Sequence, residues 1–227
     1  MSTRSTALRR AACAASLSAA LAGCALLSSP PERQLYRTAP SFAFPAGLPH
    51  EGVQLAVETP SAAAGLDTRR IALAMSPVSL DYYAGAEWAD TLPLLVRAAL
   101  VEGFEESRAV ATVAPASLGT RADFVLVTTI RDFEARYGAP GQAPRVEIVF
   151  DLKLVALPQR RIAAAGVVRG AAQAAENKVP AIVGAFNAAL GQAVDDAVVW
   201  TVTNPALSPR SAALVSPFVH ATGGARP

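Results

Sequence analysis

Histidine and cysteine are scarce in these 227 residues, two of each, and aromatic residues make up only 6% of the chain. A zinc site of the usual Cys/His kind would consume the whole supply, and neither His50 nor His220 has a second ligand type at metal-binding spacing. Two cysteines exclude a disulfide framework. A charge excess of either sign is also lacking, because 20 Lys+Arg face 18 Asp+Glu for a net +2. Without a basic block there is no electrostatic footprint for nucleic acid. G-x-S-x-G, the P-loop and G-x-G-x-x-G are missing as well, so neither a nucleophile elbow nor a phosphate cradle is visible. What is abundant is apolar material, 52% of residues, with 17% charged. That composition excludes a disordered polymer and predicts an ordinary core.

The amino terminus reads as an address. Arg4, Arg9 and Arg10 precede the uncharged stretch from Ala11 to Ala22, a basic n-region followed by an apolar h-region too short for the roughly 20 residues that a membrane span needs. The stretch ends in Leu21-Ala22-Gly23-Cys24, which resembles the bacterial lipobox: a branched aliphatic, two small residues, then cysteine. The resemblance implies a signal peptide over 1–23, cleavage before Cys24, and acyl chains such as palmitate on the Cys24 thiol. The alternative is an ordinary secretory signal with a chance cysteine. Each buried CH₂ contributes roughly 0.8 kcal/mol, so two or three chains hold a protein where one does not. Loss of the three arginines leaves 17 basic against 18 acidic residues. Ala25 stands where Asp favours inner-membrane retention in lipoproteins generally, which implies export to the outer membrane.

Residues 24–32 read as an acylated tether and 204–227, with Pro205, Pro209, Pro217 and Pro227, as a loose tail. Between them, 33–203 has the size of one domain. Strands are predicted at Gln34–Arg37, Val53–Val57 and Arg69–Ala74, followed by a helix over Ala89–Ser107 with Asp90 as a candidate N-cap. Further strands are predicted at Val110–Val113, Phe124–Ile130, Arg145–Leu157 and Ile162–Gln173, the last two as a long antiparallel hairpin around Pro158-Gln159-Arg160. A second helix spans Ala181–Trp200. Three strands, a helix, four strands and a helix give an α+β two-layer sandwich, a mainly antiparallel sheet with two helices on one face.

Three features are candidates for function. Tyr82, Tyr83 and Trp88 cluster just before the first helix; they either close one end of the core or contact a partner or lipid. Gly184, Ala188 and Gly191 form a small-residue strip on the second helix, for close packing or for a subunit contact. Asp195-Asp196 could be imagined as a catalytic pair, but adjacent helical residues diverge by about 100°, so a solvated polar face is the simpler account. No catalytic residue, metal or cofactor is expected, apart from covalent lipid on Cys24.

The run from Leu80 to Asp90, LDYYAGAEWAD, followed by Leu92-Pro93-Leu94-Leu95-Val96, is similar to the ABC-type transport auxiliary lipoprotein family, relatives of paraquat-inducible protein C. Val183-Gly184-Ala185-Phe186-Asn187-Ala188-Ala189-Leu190 with Trp200 resembles that family's closing helix, and Tyr36 its first strand. The resemblance covers about 30–203 and rests on packing motifs. It implies a fold like the amino-terminal domain of TolB. It also implies an outer-membrane lipoprotein facing the periplasm, a docking partner of an MCE-domain protein, whose permease and ATPase sit in the inner membrane and which moves phospholipids between the membranes. Self-association is a further implication. The alternative function is a lipid carrier with an apolar cavity between sheet and helices.

Overall fold

The structure, a computed structural model, describes residues 33–207 other than 120, 140 and 158. The expected signal peptide with Leu21, Ala22 and Gly23, the lipid-bearing Cys24, the tether, His220 and the tail from 208 lie outside the described residues.

Five strands precede the first helix, where the sequence reading expected three: β1 (Gln34–Tyr36), β2 (Glu51–Val57), β3 (Ser61–Ala62), β4 (Arg70–Ala74) and β5 (Asp81–Trp88). Helix α1 (Leu92–Ser107) leads to β6 (Val110–Pro115). Then come the long strands β7 (Phe124–Arg136), β8 (Arg145–Ala156) and β9 (Arg161–Gln173), and helix α2 (Val179–Val202). The N-cap of α1 is Thr91 with Pro93 in the first turn. Asp90 is not the cap; its carboxylate accepts the Thr91 amide at 2.7 Å. The expected tail begins later than Asn204, because Pro205–Leu207 form a 3-10 turn and Leu207 is fully buried.

The sheet is mixed rather than mainly antiparallel. Strand β7 is its trunk: β8 and then β9 join one side antiparallel, while β2, β3 and β4 join the other side in parallel at successive levels. Beyond them, β6 runs parallel to β2, β5 antiparallel to β4 and β1 parallel to β5. Two groups of strands thus leave one flank of β7, and the sheet curls. The expected hairpin of β8 and β9 is present. Alternation along β8 buries Val146, Ile148, Phe150, Leu152 and Leu154, as a strand with one covered face requires.

Helix α2 fills that covered face. It is apolar and long enough to cross a membrane, but its apolar residues, among them Phe186, Leu190, Val194 and Val198, are buried in the core. Glycines on β9 set its closeness. A Cβ on Gly170 would run into the Ala189 carbonyl, and one on Gly166 into the Trp200 indole. Helix α1 meets α2 at Gly103, where a Cβ would collide with Val194.

Candidate functional surface

The aromatic cluster lies on β5, not in a lead-in to a helix. Trp88 is 1% exposed and stands edge-on to Phe133 of β7 and Phe186 of α2, with ring centroids 6.2 and 5.3 Å away. It is a core side chain and offers no surface to a partner. Tyr83 donates a hydrogen bond to the Tyr137 hydroxyl at 3.0 Å, and Tyr137 donates to Asn177 Oδ1 at 2.7 Å. Burial, reinforced by Tyr137, pushes the Tyr83 phenol well above its ordinary range, so it stays protonated and acts as a tie between β5 and the turn before α2. Tyr82 donates to the Gly65 carbonyl at 2.9 Å and carries the Arg70 guanidinium 3.5 Å above its ring. All three aromatics are thereby engaged inside the domain.

The segment 37–50, which links β1 to β2, runs as a strap along α2. Asn187, Gly191 and Asp195 lie four residues apart on one helix face, and each receives it. The Ala39 amide donates to Asn187 Oδ1 at 2.9 Å, and the Ser41 carbonyl occupies the space that a Cβ of Gly191 would need. The Ala43 amide donates to both Asp195 carboxylate oxygens at 3.0 and 3.1 Å. Phe42 and Phe44 stack with centroids 5.9 Å apart. The small-residue strip therefore divides: Gly191 admits the strap, whereas Gly184 and Ala188 are exposed. Asp195 is a strap anchor, and Asp196 is exposed.

On the outward face of β7–β9 the register sorts residues into rows. At the Phe124 end the rows are Val125–Val155–Ile162, Val127–Lys153–Ala165 and Thr129–Asp151–Val167. At the Arg136 end they are Asp132–Val149–Arg169, Glu134–Glu147–Ala171 and Arg136–Arg145–Gln173. Aliphatic side chains prevail in the first half, with Lys153 and Asp151 among them, and charged ones in the second. Glu134 and Glu147 sit directly opposite each other, an arrangement that repels, and Arg136 resolves it by pairing with both, and with Asp132 at 3.3 Å. A groove of about 340 Å³ runs between this charged half and the Met75–Leu80 loop.

Among the described residues no group of three or more His, Cys, Asp or Glu could hold a metal. His50 is held by the Arg108 carbonyl, 2.7 Å from Nδ1.

The profile of the ABC-type transport auxiliary lipoprotein component matches residues 34–198. The chain belongs to that family. The family is described as a lipoprotein component auxiliary to ABC-type transport. A crystallised protein of Xanthomonas campestris is 30% identical and superposes with a TM-score of 0.69, over 74% of this chain and 94% of that one. A second crystal structure, of an uncharacterized protein, shares the fold at 18% identity and a TM-score of 0.58, over 74% and 97% of the two chains. An uncharacterized protein of Bradyrhizobium diazoefficiens is 33% identical over 150 residues, 65% of this chain. The chain spans about two-fifths of that relative's length, 39%. These likenesses support an α+β domain with a curled mixed sheet and do not bear on the expected likeness to TolB.

The sequence reading located the family and the helices. It missed the strap and Arg136; the one available signal was the spacing of Asn187, Gly191 and Asp195 on a single helix face.

Proposed function

We propose that this chain is an outer-membrane lipoprotein, anchored through acyl chains on Cys24 and facing the periplasm, that docks an MCE-type ABC transporter carrying phospholipids between the membranes. The observation that carries docking over carrying is the contact of α2 with β9. At Gly166 and Gly170 helix and sheet approach so closely that not even a methyl group fits, so the place where a lipid cavity was expected is filled. A domain packed in this way acts through its outer surface. Tethering two partners to facing membranes raises their effective concentration, so weak contacts suffice.

The contact surface we assign is the aliphatic half of the outward sheet face, where Ile162 and Val167 are 55% and 44% exposed. The remaining partners, permease and ATPase, are engaged through the MCE protein. Several copies acting together would multiply the contact. The test is photo-crosslinking in cells from position 167 and, as a control, from exposed Ala188 on the opposite layer. Capture of the MCE protein from 167 alone supports the reading. Equal capture from both positions, or from neither, overturns the assigned surface. Phospholipid retained by the purified protein in native mass spectrometry would restore the carrier.

A further inference from the structure

The loop between β4 and β5, Met75-Ser76-Pro77-Val78-Ser79-Leu80, contains no charged residue and presents its apolar side chains outward. Val78 is 96% exposed, Met75 63% and Leu80 43%. Its polar atoms, by contrast, are turned inward on one another. The Ser79 hydroxyl oxygen accepts the amides of Met75 and Ser76 at 3.2 and 2.9 Å. The Ser76 hydroxyl donates to the same oxygen at 3.1 Å, and the Ser76 carbonyl accepts both the Ser79 hydroxyl at 3.3 Å and the Ser79 amide at 3.2 Å. Pro77 has no amide proton to satisfy. Three amides of the loop are thus satisfied internally, so they need no water when the apolar side chains beside them enter a medium without hydrogen-bonding partners.

The loop's position adds a second argument. Strand β1 runs parallel to β5 with Gln34 opposite Ala86 and Tyr36 opposite Trp88, so Gln34 faces the side on which β5 begins, where the loop lies. Asp81 is five residues below Ala86 along β5, about 17 Å at the usual strand rise. The ten residue steps from Cys24 to Gln34 reach at most about 36 Å. Lipid carried on Cys24 can therefore be level with Val78 without strain in the connecting chain.

We propose that the Met75–Leu80 loop enters the lipid surface to which the chain is anchored, as a second, non-covalent contact that orients the domain. This inference rests on the lipid-anchor reading above. Three or four apolar side chains bind weakly by themselves, but an anchor that already holds the domain at the surface removes most of the cost of association. Penetration is shallow, because the charged rows around Arg136 lie next to the loop and stay at headgroup depth. The Val125–Val155–Ile162 row, at the other end of β7, then points away from the bilayer toward the periplasm.

The experiment uses the full acylated chain in phosphatidylethanolamine/phosphatidylglycerol vesicles. An azide-bearing residue at position 78, or at position 162 as a control, is coupled to the polarity-sensitive dye NBD, which leaves Cys24 untouched. The expected result is a blue-shifted emission at 78, quenched several-fold more than at 162 by a quencher on the lipid tails. Water-like emission at 78 on vesicle-bound protein overturns the proposal. So does a blue shift that appears without vesicles and grows with protein concentration, which would assign the loop to a second copy of the chain. Mass spectrometry of the same sample reports acylation of Cys24 separately. If the thiol is bare, the anchor reading fails, and coupling that thiol to a maleimide lipid submits the loop to the same two outcomes.

Discussion

Single atoms decide how closely this domain is built. Gly170 and Gly184 show the contrast. Gly170→Ala would push a methyl group into the Ala189 carbonyl, a backbone atom that cannot swing aside. The expected loss is at the upper end of about 1–3 kcal/mol for an overpacked core. Gly184→Ala meets nothing and should gain about 0.5–1 kcal/mol, the usual difference between alanine and glycine inside a helix. Urea unfolding of the pair gives opposite signs if α2 sits on β9 as described. Thr128 offers a second comparison. Its hydroxyl is buried with no hydrogen-bond partner among the described residues, so Thr128→Val should leave stability unchanged or raise it by up to about 1 kcal/mol, since a desolvated unpaired group is removed at constant shape. A clear loss of stability in that variant would mean the hydroxyl is paired. Residue identities were legible for the core, as the buried run Val146 to Leu154 shows. Trp88 was ambiguous because an aromatic side chain suits a core and an interface equally well, and only Phe133 and Phe186, distant in sequence, settle which.

Elements were legible where their period is clean. Helices α1 and α2 and the β8–β9 hairpin follow from spacing alone. Strand β5 did not, and the reason is local: Gly85 takes a positive φ of 69°, and the register with β4 slips between Arg70 and Ala72, so alternation of buried and exposed residues is broken midway. Parallel pairing left no local trace at all, because it depends on where the crossovers lead. The strap was equally silent, since its partners on α2 lie some 150 positions away.

Its anchor carries a pH dependence. Burial raises the Asp195 carboxyl above its ordinary value; the bond from Ala43 opposes this, while Asp196 and Glu106 add to the rise. The folded state then holds a proton that the unfolded chain has released, so this residue's contribution falls as pH rises from the ordinary carboxylate range through the raised value. Asp195→Asn keeps an acceptor for Ala43 without the charge and should flatten that slope. Asp195→Ala loses the acceptor and should cost about 0.5–1.5 kcal/mol. Thermal unfolding across pH 4–7 distinguishes the two, and an unchanged slope in the asparagine variant would remove Asp195 as its source.

For the whole molecule, attachment and folding are separable. The described fold starts at Gln34, ten positions after Cys24. Cys24→Ser should therefore move the protein from the membrane to the soluble fraction while its unfolding midpoint stays where it was. A lowered midpoint would mean that the segment before Gln34 contributes to the core. Family membership was legible from the Leu80–Asp90 run and the two helices, because those segments are local and lie within the matched residues 34–198. The division of the outward face into aliphatic and charged rows was not, since it exists only once register aligns three strands.

The trunk strand β7 has one more consequence, in the order of events. Strands β2, β3 and β4 are synthesised first, yet the strand that joins all three, β7, follows only some 50 residues or more later. Contacts so far apart along the chain form slowly. The two wings of the sheet, β2 with β6 and β4 with β5, are therefore joined only after synthesis has passed Arg136, and a fragment that stops short of Phe124 should lack the order of the whole domain.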